Sequence, residues 1–297
     1  MDEVSKRSIL SNATVKEAMR VQVFNLPAAS LISHGIRHLI KYKINAFLVH
    51  DDEGSALGVV SKTDIVGAYY AGLPIESPLS HIMVSPPIFC SPGDSLESAL
   101  DTMRTHRVYR LYVRDESEHD VVGALAYPDI VGLLYGYCRS CDRSVLNRNN
   151  NLLDHPELRI RVKDVMKETV VSFHDQDSLS EIMEGISEHR CGAVLIKNGE
   201  DRPISVISKT DLILAYTRGT STETVAASIL SSSHVISCQE STFLEDAIRK
   251  LILTDLQRLF VWKGTPENMI GVISLSDAAR VRSGSCHACT SSRIKVE

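Results

Sequence analysis

Four aspartates, Asp64, Asp129, Asp211 and Asp277, recur in one short context, and in three copies a serine stands three residues earlier: Ser61, Ser208 and Ser274. The copies read Gly58-Val59-Val60-Ser61-Lys62-Thr63-Asp64-Ile65, Gly123-Ala124-Leu125-Ala126-Tyr127-Pro128-Asp129-Ile130, Ser205-Val206-Ile207-Ser208-Lys209-Thr210-Asp211-Leu212 and Gly271-Val272-Ile273-Ser274-Leu275-Ser276-Asp277-Ala278. An ionised carboxylate only accepts hydrogen bonds, so it can take two hydroxyl protons at once in charge-assisted bonds. A serine at a helix start adds a hydroxyl beside backbone N–H groups that favour an anion. The same Ser-x-x-Asp pattern is also a capping arrangement, in which the serine satisfies free N–H groups of the following helix. On the residues alone both readings stand.

A second set concerns anions. Eighteen or nineteen residues before each motif aspartate the chain carries Ala46, Arg110, Ala193 and Arg258, so small and basic residues alternate. The planar fork of arginine donates two bonds at once to a phosphate. The alternative for a lone arginine is a solvated surface position or an ion pair. His106, Arg107, Lys62 and Lys209 stand close enough in sequence to add charge.

A third set is two C-x-x-C pairs, Cys138-Arg139-Ser140-Cys141 and Cys286-His287-Ala288-Cys289, each beginning nine residues after a motif aspartate. This spacing lets two thiolates reach one metal, and two such pairs supply the four sulfurs of a closed zinc site or an iron–sulfur cluster. Reversible disulfide formation within each pair is another use, and an inert duplicated helix end is the bland one. Cys90, Cys191 and Cys238 are isolated and expected to pack as small hydrophobes.

The elements that position these residues follow from periodicity. The motif aspartates are separated by 65, 82 and 66 residues, which divides the chain into two similar halves of two repeats. Each repeat opens on a short apolar run, Val21 to Phe24 in the first and Val170 to Phe173 in the third. An amphipathic helix follows; in the second repeat Leu96, Ala99, Leu100 and Met103 fall at helical spacing. Two strands come next, Arg110 to Val113 and Val121 to Leu125, joined by a polar turn over 114–120, and a last helix runs from near Asp129 to about Leu134. A repeat of roughly 60 residues buries too little surface to be stable alone, so the repeats are expected to pair. The polar stretch Asn147-Arg148-Asn149-Asn150-Asn151 separates the halves.

Composition sets the outer limits. Of 297 residues, 43% are hydrophobic, 23% charged and 5% aromatic, an ordinary globular balance with an aliphatic core. A net charge of -5 argues against a general nucleic-acid binder. No apolar run reaches the roughly 18 residues of a membrane helix. The polar start Met1-Asp2-Glu3-Val4-Ser5-Lys6-Arg7 is not a secretory signal, and seven cysteines are an odd count for a disulfide scaffold, so a cytoplasmic protein is expected. There is no Gly-rich phosphate loop, nucleophile elbow or H-E-x-x-H motif, so no enzyme activity is expected.

The fourfold pattern resembles the CBS domain, whose β-α-β-β-α units pair into Bateman modules, and its nearest likeness is to the γ subunit of AMP-activated protein kinase and its relatives. The resemblance implies an α/β (α+β) chain of four CBS units in two Bateman modules, forming a flattened disc. The units span 10–75, 76–141, 158–221 and 222–289, with a linker over 142–157. It implies a regulatory sensor of adenine nucleotides (AMP, ADP or ATP, with S-adenosylmethionine as a related ligand) that acts on an unidentified partner protein. The disc would be closed by one chain or by two stacked as a homodimer. In this family the motif aspartate holds the two ribose hydroxyls, here Asp64, Asp129, Asp211 and Asp277. The hydroxyl three residues earlier contacts phosphate, here Ser61, Ser208 and Ser274. Basic residues at the positions of Arg110 and Arg258 meet phosphates. The second unit departs from this pattern with Ala126 and Pro128, so its site is expected to be weak or empty. The cysteines Cys138, Cys141, Cys286 and Cys289 are no part of the family pattern, and a metal- or redox-sensing protein on a CBS scaffold is the alternative reading.

Overall fold

The computed structural model describes residues 12–115, 121–140, 160–230 and 235–282. Each of the four repeats builds the same unit: a short strand, a helix, a β-hairpin and a second helix. Repeat one holds β1 (Asn25–Pro27), α2 (Ile32–Lys41), β2 (Ala46–His50), β3 (Ala56–Ser61) and α3 (Lys62–Tyr70), after a short α1 (Val15–Ala18). Repeat two holds β4 (Phe89–Cys90), α4 (Leu96–Thr105), β5 (Arg110–Arg114), β6 (Val121–Ala126) and α5 (Tyr127–Ser140). Repeat three holds β7 (Ser172–His174), α6 (Leu179–Glu188), β8 (Ala193–Lys197), β9 (Pro203–Ser208) and α7 (Lys209–Thr217). Repeat four holds β10 (Ser237–Gln239), α8 (Leu244–Leu253), β11 (Arg258–Trp262), β12 (Met269–Ser274) and α9 (Leu275–Arg282).

Each unit carries its own three-stranded sheet, with the first strand parallel to the second and the second antiparallel to the third. A parallel pair needs a crossover, which the first helix provides. All four hairpins bulge at the same place, next to the last residue of their first strand: at His50, Arg114, Lys197 and Trp262. The first strands of repeats one and three lie later than the apolar runs suggest. Val21 is 76% exposed, and the chain just before it is engaged elsewhere, since Arg20 bridges to Ala124. The last helix of repeat two is longer than expected, continuing to Ser140.

The first helix of every unit ends in the same way, with one residue in the left-handed region: Lys43, Arg107, Arg190 and Asp255, with φ between 47 and 56°. The next residue's N–H then reaches back to a helix carbonyl, as from Val108 to Met103 at 3.0 Å and from Cys191 to Ile186 at 3.1 Å. This closes the helix end in a Schellman arrangement.

The chain divides into two compact units that join repeats distant in sequence. One comprises 23–87 and 170–236, hence repeats one and three; the other comprises 1–22, 88–169 and 237–297, hence repeats two and four. Each has its own apolar core. Ile36, Leu39, Phe47, Ile65, Ile182, Ile186 and Leu212 are among the residues filling the first. Leu96, Met103, Leu111, Leu125, Ile248, Leu259 and Ile273 are among those filling the second. In the first, α3 and α7 pack together and the Tyr69 and Tyr216 rings stack with centroids 4.9 Å apart. Their hydroxyls donate reciprocally, Tyr69 to the Thr220 carbonyl at 2.7 Å and Tyr216 to the Leu73 carbonyl at 2.6 Å. In the second, α5 and α9 pack together. A repeat too small to stand alone thus buries its last helix against its counterpart.

Candidate functional site

The motif residues lie where the third strand of each unit turns into its second helix. Ser61 ends β3 with extended backbone and α3 begins at Lys62, because Ser61 and Asp64 close a capping box. The Ser61 N–H and hydroxyl both donate to Asp64 Oδ2, at 2.7 and 2.6 Å. Ser208 and Asp211 repeat this at 2.7 and 2.6 Å. At the fourth copy the Ser274 N–H donates to Asp277 Oδ2 at 3.0 Å and the Ser274 hydroxyl donates to the same oxygen. In the second copy Ala126 has no hydroxyl, and only its N–H reaches Asp129 Oδ2, at 2.9 Å. The capping reading of the pattern is therefore realised in the geometry. It occupies one oxygen of each carboxylate.

The second oxygen distinguishes the copies. Among the described residues no hydrogen bond reaches Oδ1 of Asp64 or Asp211. Asp129 Oδ1 instead accepts from the Arg20 guanidinium, and Lys167 Nζ lies 4.0 Å from Asp277 Oδ1. Burial pushes the Asp64 carboxyl above its ordinary range, against the pull of the Ser61 hydrogen bonds and the Lys209 ammonium. A half-buried carboxylate with one oxygen unspent is short of donors, and a diol would supply them.

Strand register places the arginines opposite the same turns. Arg110 pairs with Ala126 and Arg258 with Ser274, while in the other two units Ala46 pairs with Ser61 and Ala193 with Ser208. The alternation seen in sequence is thus an alternation of what faces the helix start. In repeats one and three the charge comes from elsewhere: Lys62 Nζ donates to the Thr210 hydroxyl at 2.9 Å and Lys209 Nζ to the Thr63 hydroxyl at 2.8 Å. His106 and Arg107 lie just past the C-terminal end of α4, as its cap and the left-handed residue after it.

One residue escaped the sequence reading. The hydroxyl of Tyr109 is buried without a hydrogen-bond partner among the described residues. Burial raises its pKa, with Arg258 and Arg110 lowering and Tyr127 and Asp129 raising it further. The charges of these groups act on one phenol, whose ring meets Tyr127 edge-on at 5.1 Å between centroids. A tyrosine immediately before Arg110 was the available signal.

The cysteines divide likewise. Cys138 lies within α5, and Cys141, Cys286 and Cys289 lie outside the described residues. Among the described residues no group of three or more His, Cys, Asp or Glu is placed to hold a metal. Cys238 is buried and Cys90 and Cys191 are half-buried; burial pushes the Cys90 thiol up to about 12 and Cys238 to about 11. No helix among the described residues is long and apolar enough to cross a membrane.

A family model described as the CBS domain matches the chain four times, over 15–71, 79–136, 162–218 and 226–284. An uncharacterized protein of Methanocaldococcus jannaschii is 23% identical over 71% of this chain and 73% of its own length. An uncharacterized protein of Methanopyrus kandleri is 25% identical over 41% of this chain, a match spanning 62% of that protein. The crystal structure of protein MJ1225 from M. jannaschii, described as a candidate archaeal homologue of g-AMPK, superposes with a TM-score of 0.73 at 15% identity, covering 90% of this chain and 99% of that one.

Proposed function

Because the chain belongs to the CBS-domain family, we propose that it is a regulatory protein that binds adenine nucleotides, AMP, ADP or ATP, and passes their occupancy to a partner protein. The observation that supports this most is the unspent oxygen of Asp64 and of Asp211. A carboxylate engaged only in capping gains nothing from being half-buried, whereas one that accepts a ribose hydroxyl needs a sheltered, fixed position. The capping bonds provide that position, so the two readings of the Ser-x-x-Asp pattern act together. Ser61 and Ser208 spend their single proton on the aspartate, so a phosphate would draw them out of that bond or use the neighbouring backbone N–H groups. In the unit of repeats two and four, Arg110, Arg258 and Tyr109 supply donors for the phosphate.

Regulation then follows from linkage. A nucleotide that ties strand ends and helix starts of two repeats together stiffens that unit, and a partner that reads the stiffened surface is coupled to the ligand by the same free energy. The test is calorimetric titration of the full chain with AMP, ADP and ATP, beside Asp64→Asn and Asp211→Asn. Saturable binding that loses one event in each variant supports the reading. A folded chain that takes up none of the three sinks it.

A further inference from the structure

Three segments that lead into a repeat lie as straps across the last strand of another repeat. Arg20 and Ala124 exchange two backbone hydrogen bonds of 2.9 Å, as do Lys167 with Val272 and Val84 with Val59. The strand residue just before each partner is a glycine, and the reason is steric. A Cβ on Gly123, Gly271 or Gly58 would stand 2.9, 2.7 and 2.9 Å from the carbonyl oxygen of Arg20, Lys167 and Val84 respectively. In each case the motif aspartate follows that glycine by six residues: Asp129, Asp277 and Asp64. In these three repeats the strap therefore presents one side chain at the same register, six residues of strand and turn before a motif aspartate.

What it presents differs. Arg20 is bonded to Asp129, whose side chain is 7% exposed, and keeps its own outer face in solvent. Lys167 holds its ammonium 4.0 Å from Asp277 and is also largely solvated. Val84, 58% exposed, brings no charge to Asp64; the ammonium nearest in effect there is that of Lys209, which is bonded to Thr63.

We propose that the strap residue decides which carboxylates accept a sugar. Arg20 closes the Asp129 site, Lys167 weakens the Asp277 site, and Val84 leaves the Asp64 site open. This rests on the aspartates being ribose acceptors. A guanidinium tethered by backbone bonds faces the carboxylate at a high effective concentration. Its charge-assisted bond competes directly with an incoming hydroxyl, which is neutral and must lose water to bind. An ammonium held at the outer limit of ion-pair distance competes less. The missing hydroxyl at Ala126 points the same way: among the described residues the copy with a hydrogen bond on each carboxylate oxygen is the copy that has lost the serine.

The strap is tested by moving its charge, with AMP as the probe and calorimetry on the full chain as the readout. In Val84→Arg the binding event that Asp64→Asn removes should also disappear, with affinity there down by about tenfold or more. In Arg20→Val combined with Ala126→Ser one event should be gained. Both strap positions are solvent-facing, and melting curves establish that the variants are folded. If Asp64→Asn loses an event while Val84→Arg titrates like the parent, or if the Arg20 variant gains none, the strap proposal fails while ribose recognition stands. If the parent chain binds no AMP, ribose recognition fails first and the strap proposal with it.

Discussion

The Ser61 hydroxyl sits 2.6 Å from Asp64 Oδ2 and gives that oxygen its only proton, while the Ser61 N–H adds a second bond at 2.7 Å. One carboxylate oxygen thereby begins a helix, and among the described residues no hydrogen bond reaches the other. The same pair is built at Ser208 and Asp211. On the proposed function, structure and recognition share a residue here, so a substitution would act on both and the two effects must be read separately.

Asp64 is the place to separate them. Its folded carboxyl holds a proton more tightly than the unfolded chain does, because burial penalises the charge. The folded state then binds more protons between the ordinary carboxylate range and the raised value, so stability falls as pH rises through that window. AMP affinity at this site should move the other way, falling as acid protonates the acceptor. Asp64→Asn keeps an oxygen for capping and removes the buried charge, so it should melt about 1–3 °C higher at neutral pH and lose its AMP event. The thermal gain should vanish in acid, where Asp64 is protonated in both states.

The left-handed residue that ends each first helix carries a side chain where glycine would be unstrained. In Arg190→Gly the φ of 47° no longer costs a Cβ clash. Set against the entropy of the added glycine, the net gain should be about 0.5–1 kcal/mol, read by urea denaturation. Loss of stability would mean that the arginine side chain contributes more than its backbone costs.

The strap glycines predict the opposite sign. A methyl group on Gly271 meets the Lys167 carbonyl oxygen at 2.7 Å and Met166 Sδ at 2.8 Å, and the first of these is backbone. Gly271→Ala should cost about 1–3 kcal/mol, and hydrogen exchange should show the Val272 and Lys167 amides opening faster. Gly67→Ala, where nothing stands within 4 Å, is the matched control and should be neutral or stabilising.

Thiol reactivity gives a fourth check. With its thiol pushed up to about 12 by burial and the neighbouring Asp94 charge, Cys90 has almost no thiolate at neutral pH. Cys238, at about 11, is similar. Mass spectrometry after brief iodoacetamide treatment of the native chain should leave both unmodified, and full labelling should require denaturant.

The repeat was legible because its signal is local. A β-branched run, a hydroxyl, an aspartate and an amphipathic helix each declare themselves within a few residues, and fourfold recurrence multiplied a weak motif into a fold. The offset of Arg110 and Arg258 to the motif aspartates was legible too, but the strand register that sets Arg258 against Ser274 is seen only in the structure. The grouping of repeat one with repeat three was not legible, because nothing local distinguishes which apolar helix face, that of α3 or that of α5, will meet α7. The strap was hidden for a related reason. Arg20 and Asp129 are far apart in sequence, and only their parallel placement hints at a common role: Val15-Lys16-Glu17-Ala18-Met19-Arg20 is repeated as Val162-Lys163-Asp164-Val165-Met166-Lys167. Glycine at 58, 123 and 271 was visible, but its purpose, admitting a crossing backbone, is a three-dimensional fact.

Ribose recognition by the motif carboxylates is best tested on the ligand itself. Calorimetric titration of the parent chain with AMP and with 2′,3′-dideoxy-AMP compares the same base and phosphate with and without the hydroxyls that Asp64 and Asp211 are proposed to accept. The dideoxy compound should bind at least about tenfold more weakly, and Asp64→Asn combined with Asp211→Asn should remove the two binding events that show this difference. Equal affinity for the two nucleotides would show that these aspartates serve only to begin helices.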